Sequence, residues 1–294
     1  MPPMQLWDWS VQIGAKMHID KLNDMFYSEL RRKLTYHNEE KQRIARDMLE
    51  RYSGSNVADF QQYILLTNFQ KYIDVFSERF EADVHTGSVW SAVHSPENKV
   101  SMIDFKIGAP TAALVIELLS AIDPQAVIFL GMCGGLHRSL QIGDFILPMA
   151  AIRDEGVSQH FIPPQVPSLP TFKIQKFISQ MLVEQGLDYR TGVVHTSDYR
   201  FWEFDEEFKR TLYEERAIAI EMECAALFSV GFVSKAPIGA LLLVSDLPLQ
   251  KGGIKTKESA RSIFAKFTER HIHIGIQSII EIQKRGEHIR HYRW

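Results

Sequence analysis

Short apolar segments alternate with longer amphipathic ones from Tyr63 onward, and this alternation restricts the fold more than any other feature of the sequence. Apolar runs bounded by turn residues indicate buried strands, and apolar residues at helical spacing indicate the helices that cover them. Strands alternating with helices predict a mixed, largely parallel sheet with helices on both faces. The clearest strands are "YILLT", "AVIFL" and "IGALLLVSD", and the clearest helices are "FQKYIDVFSERF" and "PTAALVIELLSAI". We therefore expect one three-layer α/β domain with a mixed central sheet.

Other segments extend this pattern. "VWSAVH" and "VSMIDF" flank the turn "SPENK" and predict a hairpin. "DFILP" and "AIRDE" predict two shorter strands, and a last helix is predicted from about Lys257 to Lys284.

The first sixty residues have a different character. From Asp20 to Arg51 the chain is charged, with apolar residues at helical intervals such as Leu22, Met25 and Phe26. This pattern predicts a helical N-terminal extension over residues 1–60, which packs on the main domain, residues 61–294, or on a neighbouring subunit. The segment "RYSGSNVADF" between them predicts a turn-rich hinge.

Composition restricts the possible partners and compartment. The chain has 294 residues, 45% of them hydrophobic, and a net charge of -3, so no basic excess indicates nucleic acid as a partner. No apolar run reaches the ~18 to 20 residues of a membrane helix. The N-terminus lacks the charged-then-apolar order of a signal peptide. The cysteines, Cys133 and Cys224, are not in metal-type spacing. We expect a cytoplasmic protein with no metal and no cofactor.

Glycines follow the strand "AVIFL", in the stretch "GMCGGL". In open α/β sheets, ligands bind outside the carboxyl ends of strands, and glycines let backbone amides approach a ligand. A tight turn explains these glycines equally well. Their G-x-x-G-G spacing differs from the G-x-G-x-x-G dinucleotide fingerprint. Cys133 with His137 as a base is a further reading, although a lone cysteine beside glycines is more often a packing residue.

Carboxylates mark two other strand ends. Glu221 and Glu223 flank Met222, and in an extended segment only one of them can face a pocket. Glu223 suits that place, because a carboxylate accepts hydrogen bonds from both hydroxyls of a ribose diol. Glu221 then reads as a solvated strand-end residue. Asp246 follows five apolar residues and is either a cap for the next segment or, with a raised pKa, a general acid.

The stretches "GMCGGL", "EMECAAL" and "VSD", in this order and spacing, resemble the nucleoside phosphorylase and nucleosidase superfamily over about residues 60 to 284. The resemblance implies that residues 61–294 are a nucleoside-phosphorylase-like catalytic domain. It implies that Met222 and Glu223 bind ribose and that Asp246 assists the purine leaving group at N7. Further substrate-binding residues implied by these motifs are Cys133, Gly134 and Ser245.

Two motifs of that superfamily are missing. Hexameric phosphorylases resembling this chain carry a G-D-P-x-R loop, an arginine and a serine that bind inorganic phosphate. The corresponding positions here are "LLTNFQKY", Phe129 and Met132. One nearby lysine, Lys71, does not replace two arginines. We therefore expect water, not phosphate, as the nucleophile.

Further segments, among them "LLTNFQKYIDVF", "RDEGVSQHFIPPQVP" and "HTSDYRFWE", are similar to the AMP nucleosidases in a compact form. This similarity implies hydrolysis of AMP to adenine and ribose 5-phosphate by a homohexamer assembled from dimers. Phe201, 22 residues before Glu223, is the candidate for stacking on the purine, unless it is a core aromatic. The candidates for binding the 5'-phosphate are Lys255, Lys257, Arg51 and Arg200.

Three other functions stay open at this point. Two are catalytic: a purine nucleoside phosphorylase, and a nucleosidase for a substrate that lacks the 5'-phosphate. The third is a noncatalytic AMP sensor that kept the pocket without turnover. The presence of Asp246 argues against the sensor.

Overall fold

The computed structural model describes residues 39–285. By its internal packing the chain divides into two units, Met1–Lys41 and Gln42–Trp294. Only Glu39–Lys41 of the first unit are described, so residues 1–38 of the predicted helical extension lie outside the described residues. The division of the chain at residue 60 stays a prediction.

Helices and strands alternate along the described chain. The helices are α1 (Glu39–Ser53), α2 (Gln70–Phe80), α3 (Ala109–Leu119), α4 (Phe172–Glu184), α5 (Glu206–Glu214), α6 (Cys224–Ser234) and α7 (Lys257–Arg285). The strands are β1 (Tyr63–Thr67), β2 (Val84–Thr86), β3 (Ser91–Ser95), β4 (Val100–Asp104), β5 (Ala126–Gly135), β6 (Phe145–Asp154), β7 (Tyr189–Ser197), β8 (Ala219–Glu221) and β9 (Ile238–Asp246).

The strands of the described chain form one mixed sheet in the order β2–β3–β4–β1–β5–β8–β7–β6–β9. β1 pairs in parallel with both β4 and β5, while β2, β3 and β4 are antiparallel. β9 pairs in parallel with β5 and antiparallel with β6. Strands β5, β8, β7, β6 and β9 therefore close into a ring. The closure brings the end of β9 beside the end of β5.

Helices cover both faces of the sheet. Helices α1, α3 and α6 share one apolar cluster with strand residues such as Leu66 and Leu242. Helices α2, α4 and α7 share a second with Leu65 and Leu241. Neighbouring residues of one strand point to opposite faces, so strands covered on both sides are apolar throughout, as "YILLT" is. The predicted three-layer α/β fold is confirmed.

Two local predictions were wrong. Residues 51–53 of the predicted hinge are the last turn of α1, which is anchored by the fully buried Leu49. The two short strands predicted around Ala150 are a single strand, β6, whose pairing with β7 shifts register between Pro148 and Ala150. A bulge of this kind interrupts the sequence pattern without ending the strand. No helix within residues 39–285 is long and apolar enough to span a membrane.

Candidate active site

A cavity of about 180 Å³ lies where several strands end. Its wall includes residues that follow β1 and β4 and residues at the ends of β5, β7, β8 and β9. This is the position at which open α/β sheets bind ligands. The predicted site residues on the wall are Cys133, Gly134, Arg200, Met222, Glu223, Ser245, Asp246 and Lys255, and Met132, at the position of the missing serine, also lines it.

Glu221 is buried, which contradicts the prediction of a solvated strand-end residue. Its side chain is 5% exposed and also contributes to the cavity wall, so both carboxylates face this region. One carboxylate oxygen accepts from the backbone N–H groups of Glu223 and Cys224, each at 2.7 Å, at the start of α6. The other accepts from the Thr196 hydroxyl. A carboxylate that caps a helix N-terminus satisfies otherwise unpaired amides, so Glu221 holds the turn that carries Glu223.

Glu223 is 2% exposed and receives donors from three parts of the chain. The backbone N–H of Gly108 donates to Oε1 at 2.7 Å, and that of Met222 approaches Oε2 at 3.3 Å. The Asn68 side chain adds a further hydrogen bond. Burial, reinforced by the charge of Glu221, raises the pKa of Glu223 to about 8. A carboxyl this poorly solvated gains from any ligand that brings hydroxyl donors.

Gly108 can place its N–H on Glu223 because of its backbone conformation. It precedes α3 with φ of +103° and ψ of 154°, a combination that is essentially restricted to glycine. A proline follows in the first turn of α3. The segment "IGAP" after β4 is therefore a preformed arm that reaches the carboxyl from the far side of β1.

Asp246 ends β9 and is held by its neighbour. The Ser245 hydroxyl donates to Asp246 Oδ1 at 2.6 Å. Burial raises the pKa of Asp246, while the Ser245 hydrogen bond and the charge of Lys255 partly oppose that rise. The register of β5 and β9 shifts between Cys133 and Gly134, which brings Gly134 opposite Asp246. A carboxyl with a raised pKa at a cavity wall has the property that a general acid needs.

Cys133 is a wall residue without nucleophile character. It is buried, and its thiol donates to the Leu243 carbonyl at 3.7 Å. Burial, with the nearby charges of Asp246 and Glu221, raises the pKa of the Cys133 thiol, which disfavours the reactive thiolate. His137, its proposed base, is outside the cavity lining and contacts Ser139.

Two of the four cationic candidates reach the cavity. The Lys255 ammonium lies 3.4 Å from Met132 Sδ and 5.5 Å from the centre of the Phe69 ring. Burial lowers the pKa of Lys255, while Asp246 opposes the shift. Arg200 lines the wall and pairs with Glu203 at 2.7 Å.

The other two cationic candidates lie away from the cavity of this chain. Arg51 is exposed on α1 and pairs with Asp47, one helical turn earlier. Lys257 is exposed in the first turn of α7. Neither is among the lining residues.

The aromatic wall differs from the prediction. Phe201 is 68% exposed and outside the lining, with the Arg200 guanidinium 5.9 Å from its ring centre. Tyr199 and Trp202, on either side of it, line the cavity instead. In the short 3-10 turn Trp202–Phe204, Trp202 and Glu203 face the wall and Phe204 faces the surface, an orientation that spacing along the sequence cannot resolve. Phe129 is fully buried and does not line the cavity.

Sequence reasoning missed several polar wall and support residues. Asn68, Gly108 and Thr196 hold the two glutamates, and Glu203 lies on the wall beside Arg200. Each comes from a different strand end or loop, so no short motif unites them. The glycine of "IGAP" before a predicted helix and the polar Asn68 directly after "YILLT" were the available signals.

Comparison with known proteins identifies the family of the chain. A family model described as the Phosphorylase superfamily matches residues 53–280. AMP nucleosidase of Escherichia coli strain K12 is 27% identical over 288 residues, which cover 82% of this chain and 59% of that protein. The chain therefore spans less than two thirds of the length of this curated relative.

Solved structures show the same relationship. The crystal structure of AMP nucleosidase from Bacteroides thetaiotaomicron VPI-5482 has a TM-score of 0.74 and 39% identity, covering 84% of this chain and 99% of that one. Purine nucleoside phosphorylase from Toxoplasma gondii shares the fold, with a TM-score of 0.70 and 19% identity over 79% of this chain and 95% of that one. The matched family model spans more than half of the chain, and the chain therefore belongs to the phosphorylase superfamily.

Proposed function

We propose that this protein hydrolyses the N-glycosidic bond of AMP to give adenine and ribose 5-phosphate. The observation that carries the proposal is that one cavity holds two carboxyls in different surroundings. Glu223 is enclosed by backbone and amide donors, and Asp246 has a raised pKa beside Ser245. Similarity to an AMP nucleosidase over 84% of the chain supports AMP as the substrate.

Glu223 is proposed to bind the ribose. The 2' and 3' hydroxyls are adjacent donors, and a carboxylate accepts both. Donors that favour the charged form oppose the rise that burial causes in the pKa of Glu223, so binding of the sugar promotes loss of its proton. Met222 completes this side of the wall.

Asp246 is proposed to protonate, or donate a hydrogen bond to, N7 of the base. As the bond between C1' and N9 breaks, its electron pair passes to the purine, and the ribose acquires oxocarbenium character. A proton at N7 neutralises the departing base. Water then adds its oxygen to C1' and loses a proton, which completes hydrolysis.

Lys255 is the proposed ligand of the 5'-phosphate. Within residues 39–285 its hydrogen-bond acceptor is a thioether, a weak partner that a phosphate oxygen readily displaces. Arg200 is the alternative, but its guanidinium is already paired with Glu203. Charge-assisted contacts to phosphate are the stronger class of hydrogen bond.

Phosphorolysis is a second candidate function, and the same lysine favours it. Met132 occupies the position of a phosphate-binding serine in the similar phosphorylases, and Lys255 lies 3.4 Å from its sulfur. A cation at that place could hold inorganic phosphate. One observation argues against phosphorolysis. Phe129 occupies the position of the phosphate-binding arginine, and it is fully buried, with its ring centre 5.7 Å from that of Phe105.

Incubation with AMP in phosphate-free buffer separates the two functions. Hydrolysis predicts release of adenine and ribose 5-phosphate without added phosphate. A strict requirement for phosphate, with ribose 1,5-bisphosphate as product, would establish phosphorolysis. No release of adenine under either condition would indicate a sensor.

Asp246→Asn should reduce turnover by roughly 10² to 10⁴, the usual contribution of a general acid.

Lys255→Ala tests the phosphate contact. We expect kcat/KM for AMP to fall by roughly 10- to 100-fold, as for loss of a charge-assisted hydrogen bond, while kcat/KM for adenosine changes much less. Lys257→Ala is the matched control, because Lys257 is exposed and outside the cavity. Equal losses on AMP and adenosine would exclude Lys255 as the phosphate ligand and direct the same test to Arg200.

A further inference from the structure

The Glu203 carboxylate on the cavity wall is buried with one of its two oxygens unpaired within residues 39–285. Glu203 is 6% exposed and lies in the 3-10 turn before α5. Its Oε1 accepts a hydrogen bond from Arg200 Nη1 at 2.7 Å. Its Oε2 has no hydrogen-bond partner in the described part of the chain. A buried acceptor without a donor costs free energy, and such groups are rare enough to need an explanation.

The turn that carries Glu203 is rigidly held at both ends. Asp205, the next residue but one, accepts the backbone N–H groups of Glu207 and Phe208 at 3.0 Å each and so caps α5. On the other side Trp202 is buried in a small apolar cluster with Leu212. The carboxylate therefore has little freedom to turn towards solvent.

Glu203 and Asp246 are neighbours on the same wall. The negative charge of Glu203 contributes to the raised pKa of Asp246, and the positive charge of Arg200 opposes it. A base whose N7 faces Asp246 therefore presents the rest of that edge to the surroundings of Glu203. On a purine, that edge carries the substituent at position 6 next to N7.

We propose that Glu203 Oε2 accepts a hydrogen bond from the 6-amino group of the base and thereby selects 6-aminopurines over 6-oxopurines. The inference deepens the proposed function, on which it rests for the orientation of N7 towards Asp246. Adenine presents an acceptor at N7 and a donor at position 6, whereas hypoxanthine presents acceptors at both. A 6-oxo group would meet the carboxylate acceptor to acceptor and leave both unpaired. Sites built to pair a substrate donor reject analogues that lack it.

A purely structural role for Glu203 would be to anchor Arg200. That role uses one carboxylate oxygen and does not account for the other. The arginine side chain is 50% exposed, and ion pairs with exposed partners contribute little to stability. Recognition of the base accounts for both carboxylate oxygens of Glu203. Arg200 orients Oε1, and within the described residues Oε2 is free to accept a hydrogen bond from the ligand.

Glu203→Gln gives a directional test. Arg200 donates to Oε1, so the amide oxygen of the variant stays with the guanidinium and the NH₂ group faces the base. We expect kcat/KM for AMP to fall by roughly 10- to 100-fold and kcat/KM for IMP to rise, since the amide now donates to O6. Purine riboside 5'-monophosphate has no substituent at position 6, and its hydrolysis should be unchanged.

Control experiments distinguish a loss of 6-amino recognition from misfolding and from a failure of the proposed hydrolysis of AMP. Glu207→Gln, an exposed carboxyl in the first turn of α5, should leave all three substrates unaffected. Parallel losses on all three substrates in Glu203→Gln, or an unchanged ratio of AMP to IMP, would overturn the inference. Calorimetric binding of adenine and hypoxanthine to wild type and variant requires no turnover. A preference for adenine that Glu203→Gln abolishes supports the inference even if AMP is not hydrolysed, and no preference in the wild type overturns it.

Discussion

At the residue scale, two glutamates two positions apart have opposite tasks. Glu221 is saturated by a hydroxyl and two backbone amides and serves the architecture of the turn. Glu223 lies in the cavity, and repulsion from Glu221 adds to the burial that disfavours its charge. Without ligand, burial and the charge of Glu221 therefore disfavour the ionised form of Glu223, which hydroxyl donors of a ligand would favour. The free-energy cost of ionising the buried Glu223 should be measurable as a dependence of stability on pH.

We expect the free energy of unfolding to fall as pH rises towards 8 in the ligand-free protein. The pKa of Glu223 is raised from 4.5 to about 8 in the folded state. Between these values the folded protein keeps a proton that the unfolded chain has lost, so rising pH favours unfolding. Glu223→Gln mimics the protonated form. It should melt at least ~2 °C above wild type at pH 8, which corresponds to ~1 kcal/mol in a protein of this size.

Melting curves between pH 5 and pH 8.5 check this prediction. At the acid end the difference between the two proteins should be smallest, and it should vanish only below pH 4.5, where Glu223 is protonated in the folded and in the unfolded state. Glu207→Gln, at an exposed position, should follow the wild type throughout. A Glu223→Gln protein that is less stable than wild type at pH 8 would contradict the assignment of a strained carboxyl.

At the element scale, the site depends on strand ends that the ring of β5, β8, β7, β6 and β9 brings together. The ring is backed by α7, which crosses β5 and β1 through Gly275. A Cβ atom on Gly275 would lie 2.8 Å from Leu130 Cδ1 and 3.3 Å from Leu65 Cδ2. Both leucines are fully buried, so neither has free space to move into. The helix therefore approaches the sheet as closely as a glycine allows.

Gly275→Ala should destabilise the protein, although alanine is the better helix former. Helix propensity favours alanine by about 1 kcal/mol, and overpacking of a dense core typically costs about 1 to 3 kcal/mol. We expect a net loss in denaturant unfolding, with kcat unchanged where the variant is folded. Glu269→Ala, at an exposed position of α7, is the control and should be neutral or slightly stabilising. A Gly275→Ala protein more stable than wild type would show that α7 can move away from the sheet.

At the scale of the whole molecule, we propose the homohexamer that the similarity to AMP nucleosidases suggests. Several large side chains are two thirds exposed or more, including Phe172, Phe204 and Tyr213. Exposed aromatics of this size are typical of surfaces that contact other subunits. Sedimentation velocity should give a species of six 33.8 kDa chains. A monomer that releases adenine from AMP at the full rate would contradict the assembly.

The sequence alone determined the features that depend on residues within a single strand or helix or at its end. The alternation of strands and helices was sufficient to predict the three-layer fold. Burial of one or both faces of a strand or helix fixes the spacing of its apolar residues along the sequence. Glu223 and Asp246 were predicted as site residues because each lies at or just beyond the end of an apolar strand, within a short motif. The expectation that Phe129 and Met132 replace phosphate ligands rests on equally local motifs.

Tertiary structure decided what depends on contacts between distant segments. Asn68 and Gly108 reach Glu223 only because β4 lies beside β1 and β1 beside β5, and Glu203 reaches Asp246 only because the ring closes. Phe201 looked suitable by its spacing but faces outward, because one turn of 3-10 helix changes which neighbour meets the wall. The hydrogen bonds of the buried Glu221 likewise depend on tertiary structure, because two of its donors are backbone amides at the start of α6. Periodicity determines which residues are buried, whereas the partners of a buried polar group are set by the packing of whole elements.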